Sequence, residues 1–345
     1  MPKVNINLSP QQLMEKLISI QKERGICFHS LIKDSDKIIK QITEINRLKA
    51  EKNAIILAHT YVIPEIIYGV GDFVGDSYAL SKNAKESNAK IIVFAAVRFM
   101  GETAKIICPD KEVFVPGKED GCTLADCITA NDVKRLRRKF PDYTFVCYIN
   151  TTAEVKAECD VCVTSANVNK VVAAIPSDKI YFLPDKMMGQ NLITQMKKEG
   201  INKGIKYYNG TCYVHEEYTI GQLLEAKKKF PKAKVISHPE CLPEVCAKSD
   251  FIGSTSQLYK YIQGSPDKEF LLLTECGLAS RIKIEFPDKR IVGTCTFCKY
   301  MKSNALEDIL RVLTKPLARD YVRVNEKIRA RALKCIDAMF KYAEA

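Results

Sequence analysis

The feature that most restricts the fold of this chain is an internal repeat. LRRKFPDYTFVCYIN (136–150) and AKKKFPKAKVISHPE (226–240) share a basic helix end, Phe-Pro, a short linker and an apolar run, at an offset of 90 residues. Cys122 and Cys212 stand at the same offset. Two independent features at one spacing mark a duplicated supersecondary unit. An upstream copy fits the same register: AIILAH (54–59) ends in His59-x-Tyr61, where the later copies carry Tyr148-x-Asn150 and His238-x-Glu240.

The runs AIILAH, KIIVFAAV (90–97) and EVFVP (112–116) are continuously apolar, as suits strands covered on both faces. They alternate with helical patterns such as GETAKII, and the Gly/Asp-rich stretch before Ser77 reads as a turn leading into a helix. This alternation predicts an α/β fold with parallel sheets. The expected division is a helical N-terminal extension (1–52) and three α/β units (53–127, 128–213 and 214–299), with C-terminal helices from 300 to 345 packing on the body. Thr129 and Thr219 read as helix caps, and Asn304-x-x-Glu307 as a capping-box-like start for the helix after it.

Function is carried by the residues just beyond each strand. Residues two apart on a strand face the same way, so each unit offers a polar pair at a strand's carboxyl end, where open α/β sheets place ligands. Each unit then supplies hydroxyls at an expected helix start: Ser77, Thr164-Ser165, and Ser254-Thr255-Ser256. Such starts suit phosphate and carboxylate groups. Each unit also ends near a thiol. From the first polar residue of the pair to the thiol is 63 residues for Cys122 and 64 for Cys212, against 60 for Cys298 and 57 for Cys295. The local Gly-Thr-Cys at Cys295 echoes Cys212, so spacing and local sequence favour different cysteines. One thiol from each unit suits a shared metal centre, and a 4Fe-4S cluster with only three thiolates keeps an iron open as a Lewis acid. A zinc-stabilised scaffold is the competing reading; the close pairs Cys159-x-x-Cys162 and Cys295-x-x-Cys298 lie too far apart to make a zinc ribbon.

The remaining composition narrows the class. Fourteen scattered cysteines point to thiols or metal ligands in a reducing compartment, and no apolar run is long enough to span a bilayer, so a cytoplasmic location and no membrane partner are expected. The net charge of +12 lies partly in KRLRRK (134–139) and in the lysines 227–229, which read as solvated helix faces. A cluster-bearing sensor that binds nucleic acid is the alternative, but no nucleic-acid motif accompanies the charge and none is expected as a partner.

In order across roughly residues 50 to 310, the segments HTYVIPEI, GDFVGDSYALSK, VFAAVRFMGETAKIICPDK, EDGCTLAD, YINTTAEVKAECDVCVTSAN, FLPDKMMGQN, HPEC, GSTSQL, TECGLASRI and CKYMKSN closely resemble the quinolinate synthase family. The resemblance implies three similar three-layer α/β/α domains with pseudo-threefold symmetry around one 4Fe-4S cluster. It implies a transferase that condenses iminoaspartate with dihydroxyacetone phosphate, losing phosphate and two waters, to give quinolinate for de novo NAD biosynthesis. An aspartate oxidase or dehydrogenase would supply the iminoaspartate. Carried onto matching positions, Cys122, Cys212 and Cys298 are the cluster ligands, because the family's third ligand precedes the Met and Asn of CKYMKSN. His59, Ser77, Tyr148, Asn150, Ser165, His238, Glu240 and Thr255 hold the substrates. Tyr61, Glu240 and His238 are the catalytic candidates. Thr60 and Val62 depart from the family pattern, and the extension before residue 53 is longer than catalysis requires. The surplus positive charge is then expected to serve two anionic substrates.

Overall fold

The protein is described by a computed structural model over residues 8–26 and 34–344. Twelve short strands form three separate sheets of four, all parallel. The first holds β1 (Ala54–His59), β2 (Phe73–Gly75), β3 (Ile91–Ala95) and β4 (Glu112–Phe114). The second holds β5 (Thr144–Tyr148), β6 (Val161–Val163), β7 (Lys179–Leu183) and β8 (Gly204–Tyr207). The third holds β9 (Lys234–Ser237), β10 (Phe251–Ile252), β11 (Glu269–Leu273) and β12 (Arg290–Val292). Each sheet has the same order, second strand, first, third, fourth, and helices flank it. The apolar runs become central strands because both faces are covered: Ile56, Phe94, Phe145, Phe182, Ile236 and Phe270 are fully buried.

Two side-chain devices recur in all three units. Asp72, Asp160 and Asp250 each precede the edge strand, and each Oδ2 accepts the backbone N–H of Ile56, Phe145 or Val235 at 2.8 Å. The aspartate amides return the bond to the same residues' carbonyls, at 2.9, 2.9 and 2.7 Å, so the short edge strand starts in a fixed register. Lys111, Lys203 and Lys289 each stand one residue before the last strand of a sheet. Their ammonium groups donate to carbonyls at or just beyond the end of the helix that leads into the third strand: Ala84 and Ser87, Ile175 and Ser177, Ser265 and Asp267. A helix leaves its last carbonyls without partners, and a lysine there satisfies them and meets the negative end of the dipole.

Thr129 and Thr219 are N-caps with reciprocal capping boxes to Asp132 and Gln222, and both helices end in their basic runs. The positive charge of residues 134–139 and 227–229 therefore sits on helix C-terminal turns, where it is favourable. Asn304 is not a cap. The helix Leu306–Thr314 starts after Ala305, and the Asn304 amide is turned inward to donate to the carbonyls of Ala96 (3.0 Å) and Met301 (3.1 Å). The Gly/Asp-rich stretch contains β2 as well as the expected turn.

The helices Pro10–Arg24 and Ser35–Lys52 occupy the extension; residues 1–7 and 27–33, also read as helical, lie outside the described residues. Arg24 donates to the carbonyls of Lys283 (2.5 Å), Phe286 (3.3 Å) and Lys289, so the extension caps the end of the helix Cys276–Glu285 in the third unit. The helix Leu306–Thr314 packs on Ser35–Lys52, whereas Glu326–Glu344 lies against β6 and the helices Ala153–Lys156 and Val168–Ala174. No described helix is long and apolar enough to cross a membrane.

Lys289→Met removes the cap from two part-buried carbonyls, Ser265 and Asp267. It is expected to cost about 2 kcal/mol in urea unfolding, within the range for leaving acceptors unmade out of full contact with water. Lys268→Met, which breaks only the solvent-exposed pair with Asp288, is expected to cost under about 1 kcal/mol.

Candidate functional site

The site is set by three backbone hydrogen bonds. In each unit the first residue of the helix after the third strand donates its N–H to a carbonyl of the downstream loop: Arg98 to Asp120 (2.7 Å), Lys186 to Gly210 (2.8 Å) and Cys276 to Thr296 (2.8 Å). Each accepting carbonyl lies two residues before a cysteine, namely Cys122, Cys212 and Cys298. Those cysteines each stand immediately before a four-residue helix (Thr123–Asp126, Tyr213–Glu216 and Lys299–Lys302). Their sulfurs receive N–H bonds from these turns: from Ala125 and Leu124, from His215, and from Met301 and Tyr300. The register therefore equates Cys298 with the other two, and Cys295 is exposed to solvent.

All three thiols line one cavity. Burial pushes each of them up; Cys122 is raised further by Cys298 and Glu240, and Cys212 by Glu240 and the other two cysteines. Three thiols lining one cavity, with N–H donors at each sulfur, suit a bound cationic group that would draw off their protons. This donor set fits the iron-sulfur group that the sequence resemblance implies.

The cavity also gathers His59, Tyr61, Ser77, Tyr148, Asn150, Ser165, His238, Glu240 and Thr255, so every site residue that the family resemblance implies lies on its wall, whereas Ser254, Ser256 and Cys295 do not. The strand ends position the polar pairs: His59 closes β1, Tyr148 closes β5 and His238 follows β9. Ser77 and Thr255 open the helices Ser77–Glu86 and Thr255–Gly264. The second unit departs from this plan. Asn167 stands at the start of Val168–Ala174 without a side-chain cap bond, its Oδ1 instead accepting the Thr164 amide (2.7 Å), and Thr164-Ser165 lie in the turn before it, with the Ser165 hydroxyl bonded to Tyr148.

The two histidines are held alike. His59 Nδ1 accepts the Tyr61 amide (3.2 Å) and His238 Nδ1 accepts the Glu240 amide (3.4 Å), which assigns the ring proton of the neutral form to Nε2 in each. Burial lowers His59 to about 4 and His238 to about 3. Both are neutral donors near pH 7. Burial opposes the charge on Glu240, but contact with His215 and the Tyr148 hydroxyl overcome it, so the carboxyl is held low. His238 is neutral and turns its unprotonated Nδ1 to Glu240 Oε1 at 3.5 Å, so it adds nothing to that stabilisation.

Sequence reasoning missed the residues that join these groups. His215 Nδ1 lies 3.0 Å from Glu240 Oε2 and 3.3 Å from Cys212 Sγ, and its Nε2 lies 3.0 Å from Thr274 Oγ1. Thr274 Oγ1 is 2.8 Å from the Tyr61 hydroxyl, which is 2.7 Å from Thr255 Oγ1. Tyr148 donates to Glu240 Oε1 at 2.6 Å. One chain of contacts thus runs Tyr61, Thr274, His215, Glu240, Tyr148 and draws on all three units. The spacing Cys212-x-x-His215 was the available signal for His215. Glu275, fully buried, accepts the Cys298 amide (3.1 Å) and pairs with Lys302 (2.9 Å), which also donates to the Tyr61 carbonyl. This pair pins the Cys298 turn between the first and third units.

Among the described residues no lysine or arginine lines the cavity, and Lys302 stands behind its wall, paired with Glu275. Anion recognition there falls to neutral N–H and O–H donors.

Three repeated parallel sheets that deliver a thiol and a polar pair each to one cavity define an internally triplicated α/β protein with a three-cysteine site. The family described as quinolinate synthetase A protein matches residues 43–341. A quinolinate synthase of Caulobacter vibrioides is 42% identical over 276 residues, 79% of this chain and 74% of its own. One of Caldicellulosiruptor bescii is 43% identical over 300 residues, 86% of this chain and 97% of its own, and one of Xylella fastidiosa is 39% identical over 303 residues, 88% and 87%. The chain belongs to the quinolinate synthase family.

The buried neutral histidines make stability depend on pH with a definite sign. An unfolded histidine titrates near 6.5, so between about pH 6.5 and the folded values near 4 and 3 the unfolded chain binds more protons. Their contribution is complete above pH 7 and is lost as pH falls through that window, at about 1.4 kcal/mol per histidine for each pH step of one. Urea unfolding at pH 7.5, 6 and 5 should show the fall, and His238→Asn should flatten it.

Proposed function

We propose that this chain condenses iminoaspartate with dihydroxyacetone phosphate to quinolinate, with loss of phosphate and two waters, in NAD biosynthesis. By this reading it acts in the cytoplasm on iminoaspartate from an aspartate oxidase or dehydrogenase, and its three units are related by a pseudo-threefold axis through the site. The observation that carries the reading is the convergence of Cys122, Cys212 and Cys298 with neutral donors and the Glu240 carboxylate in a single cavity.

Cys122, Cys212 and Cys298 would hold one 4Fe-4S cluster. When bound, this group supplies an iron with an open position that acts as a Lewis acid on a substrate oxygen. The chain's own residues do the rest. His59 and His238 offer Nε2–H donors, and the helix starts at Ser77 and Thr255 offer N–H and hydroxyl groups, to phosphate and carboxylate oxygens. Tyr148, Asn150 and Ser165 orient the substrates from the second unit. Glu240, ionised and aligned by Tyr148 and His215, takes a proton during condensation. Tyr61, backed by Thr274 and His215, holds or returns a proton at its hydroxyl as water leaves. Val97, Phe99, Val214 and Met301 line the same cavity and keep bulk water out.

A second reading rests on Cys212, His215 and Glu240, whose ligand atoms lie within 4.8 Å of one another and could take a single divalent ion. Iron and acid-labile sulfide in anaerobically purified protein separate the two: a brown protein with both favours the cluster, a colourless one with zinc favours the single ion.

Reconstituted protein assayed anaerobically should form quinolinate. Glu240→Gln should lower turnover by about 10² to 10⁴ while leaving the cluster absorbance intact; near-normal turnover would remove Glu240 from proton transfer. Cys298→Ser should lose iron and sulfide together with activity, whereas Cys295→Ser should keep both. The opposite retention pattern would assign the ligand to Cys295.

A further inference from the structure

Four other cysteines meet away from this cavity. Cys147 lies on β5 and Cys162 on β6, paired in register, while Cys159 precedes β6 and Cys335 projects from the helix Glu326–Glu344. All four are buried, and the Cys147 and Cys335 sulfurs are 3.6 Å apart although 188 residues separate them in sequence. Cys159 and Cys162 also hydrogen-bond to Cys147. Behind them lies Lys156, fully buried, whose ammonium donates to the carbonyls of Ile149 (2.8 Å) and Thr151. Cys159 reaches a surface basin walled by the pairs Arg137–Asp160 and Arg331–Glu158 and by Lys334, so the cluster has one side toward solvent.

We propose that Cys147 and Cys335 form an oxidation site, at which a peroxide converts the two thiols to a disulfide that fastens the C-terminal helix to the second sheet. Thiols in a compact apolar core need no such company. Here three of them and a lysine surround one sulfur, and that sulfur's proton is held loosely as a result: donation from the other three thiols and the charge of Lys156 outweigh burial at Cys147. The Cys147 thiolate attacks the peroxide oxygen, the O–O bond breaks, and water leaves with the thiol's proton, giving a sulfenic acid. The Cys335 sulfur then attacks the oxidised sulfur, and its proton leaves with the hydroxyl as a second water. Two thiols are oxidised by two electrons, and one hydrogen peroxide is reduced to two waters. Cys162, already beside Cys335, competes for the same sulfenic acid only through a strand that is fixed in register, whereas the helix can close the remaining gap.

Reconstituted full-length protein treated with equimolar hydrogen peroxide, alkylated in denaturant and digested should yield linked peptides containing Cys147 and Cys335, two hydrogens lighter than the reduced pair. The oxidised protein should unfold several degrees higher than the reduced one, and this gain should be absent in Cys335→Ser. The peptide map of the unsubstituted chain decides the matter if that variant fails to fold. Oxidation confined to the exposed Cys127 and Cys295, with Cys147 and Cys335 recovered alkylated, would overturn the proposal. So would four thiols that react only after a bound metal is chelated away.

Discussion

Three main-chain hydrogen bonds, from Arg98, Lys186 and Cys276 to the carbonyls of Asp120, Gly210 and Thr296, decide where the thiols of this protein stand. Each ties the start of a helix, itself fixed by the third strand of its sheet, to a loop that would otherwise wander. The four-residue turn beyond it then aims the sulfur. Because donor and acceptor are both backbone atoms, the side chains at these positions are free to differ, and they are Arg, Lys and Cys. The placing of the three loops thus rests first on sheet topology, and side chains such as Glu275 and Asp126 then hold the Cys298 and Cys122 amides.

The same arrangement explains an electrostatic division. The basic residues of a strongly cationic chain are placed on helix C-terminal turns and on carbonyl caps such as Lys111, Lys203 and Lys289, while the cavity wall carries none. Inside, charge is limited to carboxylates such as Glu240 and Glu275, each satisfied by specific donors. Such buried charges are tolerable only when fully paired, which ties the proton state of the site to its packing.

Much of this was legible in the sequence because it is periodic. The 90-residue offset exposed the repeat, and the polar pair beyond each apolar strand pointed to the right cavity wall. The edge strands β2, β6 and β10 were not legible, because two or three residues carry no hydrophobic period. The Asp that starts each of them, in GDF, CDV and SDF, was a readable marker. Cys295 and Cys298 could not be separated by local sequence, since the bond that distinguishes them, from Cys276 N–H to Thr296, leaves no trace in residue type. His215, Thr274 and Glu275 act through contacts between units, which no single segment encodes. Asn304 has the residue type of a cap and serves instead as a tether between Ala96 and Met301.

The helix Glu326–Glu344 covers β6 and its neighbouring helices, and Arg24 caps a helix that ends at Glu285. During translation, then, the second unit leaves the ribosome with one face bare and keeps it bare while the whole third unit is made. The helix Pro10–Arg24 waits longer still for the helix end that Arg24 caps. The middle of the chain is the part that needs shielding from its neighbours on a polysome, although it is neither the first segment made nor the last.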